Sequence, residues 1–168
     1  MTGGTEVRRA VPGDASAMAR VHVASWRSTY RGLVPDAVLD DPDFVARRTD
    51  FWTAALTDER FAANRVAVAE HAGDVVGVAM SGPVTDHGPG TVQLYVLYLL
   101  DGHHGSGAGS ALLDAVLDSG SDAVLWVADP NPRAQAFYRK HGFAFDGTEQ
   151  VDGGVRERRM TRSGRSAA

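Results

Sequence analysis

The chain has 168 residues, 43% of them hydrophobic and 23% charged, a balance that fits one globular domain around a single core. Its formal charge of −4 offers no positive field to nucleic acid or an anionic membrane, and the lack of cysteine removes disulfides, thiolate metal sites and cysteine nucleophiles. Glu6, Asp14 and several arginines break up the start of the chain, so no secretory signal or spanning helix is expected and a cytoplasmic home is the expectation.

A first strand is predicted over 6–11, followed by a Pro12-Gly13-Asp14 turn in which Asp14 reads as a helix N-cap. Met18, Val21, Ser25 and Trp26 recur at helical spacing as far as Arg31-Gly32, and Pro35 opens a short further piece. From Asp43, the residues Phe44, Val45, Phe51, Trp52, Ala55 and Leu56 share one face of a second helix. Strand chemistry over 65–70 and 75–81, with a turn at 71–74 between them, predicts a hairpin, and 82–90 is a loop rich in glycine and proline.

The run 91–100 is almost continuously apolar, as expected of a central strand covered on both faces. A glycine-rich segment follows, then a helix through Ala111, Leu112, Ala115 and Val116 that Gly120 ends, then a buried strand over 123–127. Asn131-Pro132 reads as N-cap and first position of a helix that Gly142 stops. Short strands are predicted at 143–145 and 155–161 around a turn at 150–154. Residues 1–162 form one predicted domain and 163–168 a flexible tail.

The segment His103-His104-Gly105-Ser106-Gly107-Ala108-Gly109 carries the chemistry. A buried strand running into closely spaced glycines and a helix start gathers free backbone N–H groups at the positive end of the helix dipole, which suits a phosphate or pyrophosphate. A P-loop is excluded, because Gly109 is followed by Ser110-Ala111 and no lysine is present. A dinucleotide fold fits poorly, because its last fingerprint position is Ser110 and little chain remains beyond Asp129 for a second half.

The stretch from Leu97 through His104-Gly105-Ser106-Gly107-Ala108-Gly109 to Leu113 resembles the coenzyme-A motif Arg/Gln-x-x-Gly-x-Gly/Ala of the GNAT superfamily of N-acetyltransferases. Asn131-Pro132-Arg133-Ala134-Gln135-Ala136-Phe137-Tyr138, ending at Gly142-Phe143, is similar to that family's second block, and Trp26-x-x-x-Tyr30-x-Gly32 to its first-helix region. The resemblance implies an α/β (α+β) fold. In it, a mixed, mostly antiparallel sheet of about seven strands splays between the fourth (91–100) and fifth (123–128), with about four flanking helices.

It also implies direct acetyl transfer from acetyl-CoA, as a co-substrate and without a metal, to a primary amine. The acceptor read from it is a small molecule, with a peptide or protein amine next and a non-catalytic acyl-CoA sensor as the other class. A homodimer is left open. The implied coenzyme contacts are Leu99 and Leu100, the backbone of His104, Gly105, Ser106, Gly107, Ala108, Gly109 and Ser110, then Asn131 and Tyr138. The Leu99 N–H would face the thioester carbonyl, Tyr138 would act as general acid, and Trp26 and Tyr30 would line the acceptor pocket.

Two residues depart from the family pattern. His104 stands in place of Arg or Gln; a neutral imidazole offers one donor and a protonated one two, so coenzyme affinity is expected to weaken as pH rises. Gln93 stands where relatives carry a basic glutamate, and an amide cannot take a proton; it remains a candidate acceptor contact. Replacement bases are Asp86, His87, Glu149, Asp152 or water, and His87 is the side-chain type best suited to the task. The arginines at 156, 158, 159, 162 and 165 read as the charges of an edge strand.

Overall fold

A computed structural model describes residues 3–84 and 86–164. Seven strands, β1 (Glu6–Arg9), β2 (Arg65–His71), β3 (Asp74–Pro83), β4 (Val92–Leu99), β5 (Ala123–Ala128), β6 (Ala144–Asp152) and β7 (Val155–Arg162), make one sheet in the order β1-β2-β3-β4-β5-β7-β6. All neighbours are antiparallel except β4 and β5. Five helices flank it: α1 (Ala15–Tyr30), the single turn α2 (Asp36–Leu39) at the piece that Pro35 opens, α3 (Phe44–Thr57), α4 (Ala108–Val116) and α5 (Pro132–Lys140). This is the fold expected from the resemblance.

Alternation along the strands sends side chains to two cores. Val68, Val78 and Met80 pack under α1 and α3 with Met18, Val21 and the fully buried Trp52. Ala79, Leu125 and Met160 pack on the other face with Leu112, Leu113 and Val116 of α4 and Tyr138 of α5. No helix among the described residues is long and apolar enough to cross a membrane.

Local readings shift where a distant partner intervenes. Asp14 makes no side-chain cap to α1; its carboxylate accepts from the Arg8 guanidinium at 2.8 and 2.9 Å and from the Val11 N–H at 2.8 Å. The 143–145 strand extends to Asp152 because β7 pairs along it, with an irregularity between Phe145 and Glu149. β7 is an interior strand, not an edge, and its arginines are neutralised locally: Arg156 by Glu149 and Arg159 by Asp146. Arg165, like the rest of the tail over 165–168, lies outside the described residues, while Gly164 N–H donates to Asp122 at 2.7 Å.

The sheet is incomplete at its centre. β4 and β5 pair only at Val92–Ala123 and Gln93–Val124, then separate. On the β3 side, Met80 pairs with Val96 and Ser81 with Leu94, which leaves Tyr95 as an extra residue in β4. Such a bulge bends a strand and increases its twist, and here it turns β4 away from β5.

Candidate active site

A cavity of about 620 Å³ fills the wedge between the separated strands. One wall is the edge of β4. Leu100 N–H donates to the Val76 carbonyl on β3 at 2.9 Å. Successive backbone groups in a strand point to opposite sides, so the N–H and C=O of Leu99 point to the open edge. Consistent with this, the Leu99 carbonyl accepts from His104 Nε2 at 2.8 Å.

Gly105 and Gly107 shape the mouth of the cavity, with φ of +79° and +86°, a region that side chains rarely adopt. Gly107 occupies the N-cap of α4, so the first amides of that helix face outward there. At Gly109 a Cβ would lie 3.3 Å from the Phe137 ring, so this glycine lets α4 pack closely on α5. Arg133 in the first turn of α5 donates to His104 Nδ1, and both residues line the cavity. The two ring nitrogens of His104 are thus engaged within the protein, and Arg133 holds a fixed positive charge beside them.

Asn131 caps α5 through the Ala134 N–H at 3.3 Å and also lines the cavity. Tyr138, one turn further along, is buried, and that burial, with Tyr98 nearby, raises the pKa of its hydroxyl, which therefore stays protonated. The hydroxyl makes no hydrogen bond among the described residues.

The opposite end is aromatic. Trp26 and Tyr30 on α1 meet edge to face with centroids 4.8 Å apart, and Trp26 Nε1 donates to the Tyr98 hydroxyl at 2.8 Å. Behind them the buried His22 accepts from Trp52 Nε1 at 3.2 Å, and burial, with Arg48 nearby, lowers its pKa to about 3. Glu157 on β7 also lines this end.

Of the residues singled out from the sequence, Leu99, His104, Gly105, Gly107, Gly109, Ser110, Asn131 and Tyr138 border the cavity, as do Trp26 and Tyr30. Others do not. Leu100 is tied to β3, Ser106 Oγ donates to the His103 carbonyl at 2.6 Å, and Ala108 is buried in the α4 core. Gln93 sits at the closed end of the wedge, paired with β3 on one side and β5 on the other. His87 stays in its loop, where its carbonyl accepts from Thr91 Oγ1 at 2.9 Å, and it does not border the cavity. Glu149 is held by Arg156.

Among the cavity residues that the sequence left unassigned are Arg133, Tyr98 and Glu157. A period-two reading of β7 places Val155, Glu157 and Arg159 on one face, but only the fold shows that this face meets the cavity.

The profile of the acetyltransferase (GNAT) family matches residues 24–143. The chain belongs to the GNAT family. It is an acetyl-CoA-dependent N-acyltransferase, with acetyl-CoA as a co-substrate. Among GNAT relatives, the uncharacterized N-acetyltransferase Rv2669 of Mycobacterium tuberculosis is 43% identical over 131 residues, covering 71% of this chain and 79% of that one. The probable N-acetyltransferase Rv2775 of the same organism is 29% identical, covering 84% and 80%.

Solved GNAT structures share the fold. PaiA N-acetyltransferase of Thermoplasma acidophilum, in complex with coenzyme A, matches with TM-score 0.72 and 18% identity over 96% of this chain and 99% of that one. YncA of Salmonella typhimurium, with acetyl-CoA, matches with TM-score 0.69 and 20% identity over 99% and 97%. The wedge, the uncrowded glycine loop and the buried Tyr138 fit a long thioester whose phosphates lie at the mouth.

Proposed function

We propose that this GNAT acetyltransferase moves the acetyl group of acetyl-CoA directly to a primary amine of a small molecule. One observation carries the reading: the glycine loop, the freed edge of β4 and the aromatic end of α1 open into a single cavity, so that donor and acceptor meet without a covalent enzyme intermediate. The enclosure of the aromatic end supports a small acceptor, because α1, β4 and the β6–β7 turn wall it on three sides.

In this reading the pantetheine arm takes the strand position that β5 vacates and pairs with the open edge of β4. Its pyrophosphate lies on the loop amides and the N-terminus of α4, with Arg133 adding a permanent charge. The Leu99 N–H stabilises negative charge developing on the thioester oxygen. Tyr138 supplies the proton that the leaving sulfur needs, and its raised pKa keeps that proton in place beforehand.

Thiol release from acetyl-CoA across a panel of small primary amines and of lysine-containing and N-terminal peptides tests the proposal. Release with one or more small amines is the expected result. Release with peptides alone moves the acceptor to a polypeptide amine, and acetyl-CoA binding without release on any amine makes the chain a sensor.

A further inference from the structure

We infer that Glu157 anchors the ammonium group of the acceptor and takes the first proton from its nitrogen, which makes the acceptor a cationic amine. The inference rests on the acetyl-transfer reading above.

Glu157 is opposite Ala128, at the end of β5 where the wedge is widest, and shares a face of β7 with Val155, which packs beside Trp26 and Tyr30. Glu157 and Asp152 are the two carboxylates of this end that the surrounding arginines pass over, and of the two Glu157 is the partly buried one. Arg156 and Arg158 turn to Glu149, and Arg159 turns to Asp146. Among the described residues Glu157 has no ion pair, and its one hydrogen bond comes from the neutral Gln150 side chain, which donates to Oε1 at 2.9 Å. Oε2 is left available, on a partly buried carboxylate in a cavity whose aromatic wall is Trp26, Tyr30 and Tyr98.

A carboxylate without a cation, set beside electron-rich ring faces, is complementary to an ammonium group. The charge of Glu157 also reaches the hydroxyls of Tyr30 and Tyr98, where it adds to the effect of burial in raising both pKa values. Arg133 and Lys140 line the cavity from α5, Asp101 lines it beside His104, and Glu157 and Asp152 line it from β7 and β6. His87 and Gln93 lie outside it, so neither competes for the role of base.

An alkylammonium nitrogen must lose two protons to become an amide. The first passes to Glu157 and on to solvent, which exposes the lone pair. The C–N bond then forms and the C–S bond breaks; Tyr138 gives its proton to the sulfur, and the second nitrogen proton restores the Tyr138 hydroxyl.

Glu157→Gln keeps the shape and the acceptor for Gln150 while removing charge and basicity. Acetyl-CoA binding by this variant should stay within about twofold, while kcat/KM for an alkylamine falls by about 100-fold, the scale of one general base. Tyr30 from α1 and Tyr98 from β4 feel the charge of Glu157, and both hydroxyls are held protonated by burial; Asp152 from β6 lines the same cavity, and Asp152→Asn separates that remaining carboxylate. Unchanged kcat/KM in Glu157→Gln, or loss only in Asp152→Asn, overturns the inference.

A turnover-free arm separates the two readings. Butylammonium titrated into the coenzyme A complex should bind wild type and not Glu157→Gln. If wild type releases thiol with no amine, acetyl transfer fails, and the ammonium titration still judges Glu157: equal binding by both proteins rejects it.

Discussion

Arg133 donates to Nδ1 of His104, and Nε2 of the same ring meets the Leu99 carbonyl at 2.8 Å. A carbonyl only accepts, so Nε2 carries the hydrogen and Nδ1 presents its lone pair to the guanidinium. This neutral tautomer fixes Arg133 at the mouth of the loop. His104 bridges Arg133 and the Leu99 carbonyl, which sets a permanent guanidinium charge beside the histidine that the sequence singled out.

Arg133→Ala should weaken coenzyme A binding by about tenfold, as loss of a charged hydrogen bond implies. His104→Gln should stay within about twofold, because glutamine also offers one donor to Leu99 and one acceptor to Arg133. Calorimetric titration with coenzyme A measures both, and equal losses in the two variants would contradict the division of labour.

Tyr138→Phe removes a hydroxyl that holds nothing else in place. Folding and acetyl-CoA binding should be unchanged, while kcat at saturating donor drops by about 100-fold. Thiol release under saturating conditions reads the effect, and a change confined to KM would assign the hydroxyl to binding instead.

Burial lowers the pKa of His22 from 6.5 to about 3. The unfolded chain binds a proton there at a pH where the folded protein does not, so the contribution of this residue is full above pH 6.5 and declines as pH falls toward 3. The slope for one proton is about 1.4 kcal/mol per pH unit. Denaturant melts of wild type and His22→Asn between these limits should converge as pH falls, since asparagine keeps an acceptor for Trp52 and does not titrate.

Ser25 carries a buried hydroxyl oxygen with no hydrogen-bond partner among the described residues. An unmade buried hydrogen bond costs about 1–3 kcal/mol, so Ser25→Ala should raise the melting temperature rather than lower it. Thermal melts of the two proteins test the sign.

The order of elements was legible because each rests on local periodicity: the apolar run of β4, the aromatic stripe of α3, the Asn131 cap and the Gly142 stop. The glycine-rich loop before α4 was legible for the same reason, since its glycines, the preceding strand and the following helix are contiguous. What the sequence hid depends on distant partners. Asp14 looks like a cap until Arg8 claims it. The bulge at Tyr95 exists only relative to β3, and it decides that Gln93 falls at the closed end of the wedge. Glu157 was lost among the arginines of β7 because its meaning comes from Ala128, Tyr30 and Gln150, each on a different element.

The two registered pairs at Val92 and Gln93 are all that stitches β1–β4 to β5–β7 along their shared border. The sheet is two leaves bound at one end, and a donor seated as proposed would complete the missing seam. On that proposal each turnover removes and replaces a structural strut. Amide exchange in the outer halves of β4 and β5 should slow when donor is bound, and melting temperature should climb with donor concentration. On the same reading the enzyme should be at its stiffest with donor seated and at its loosest once product has left.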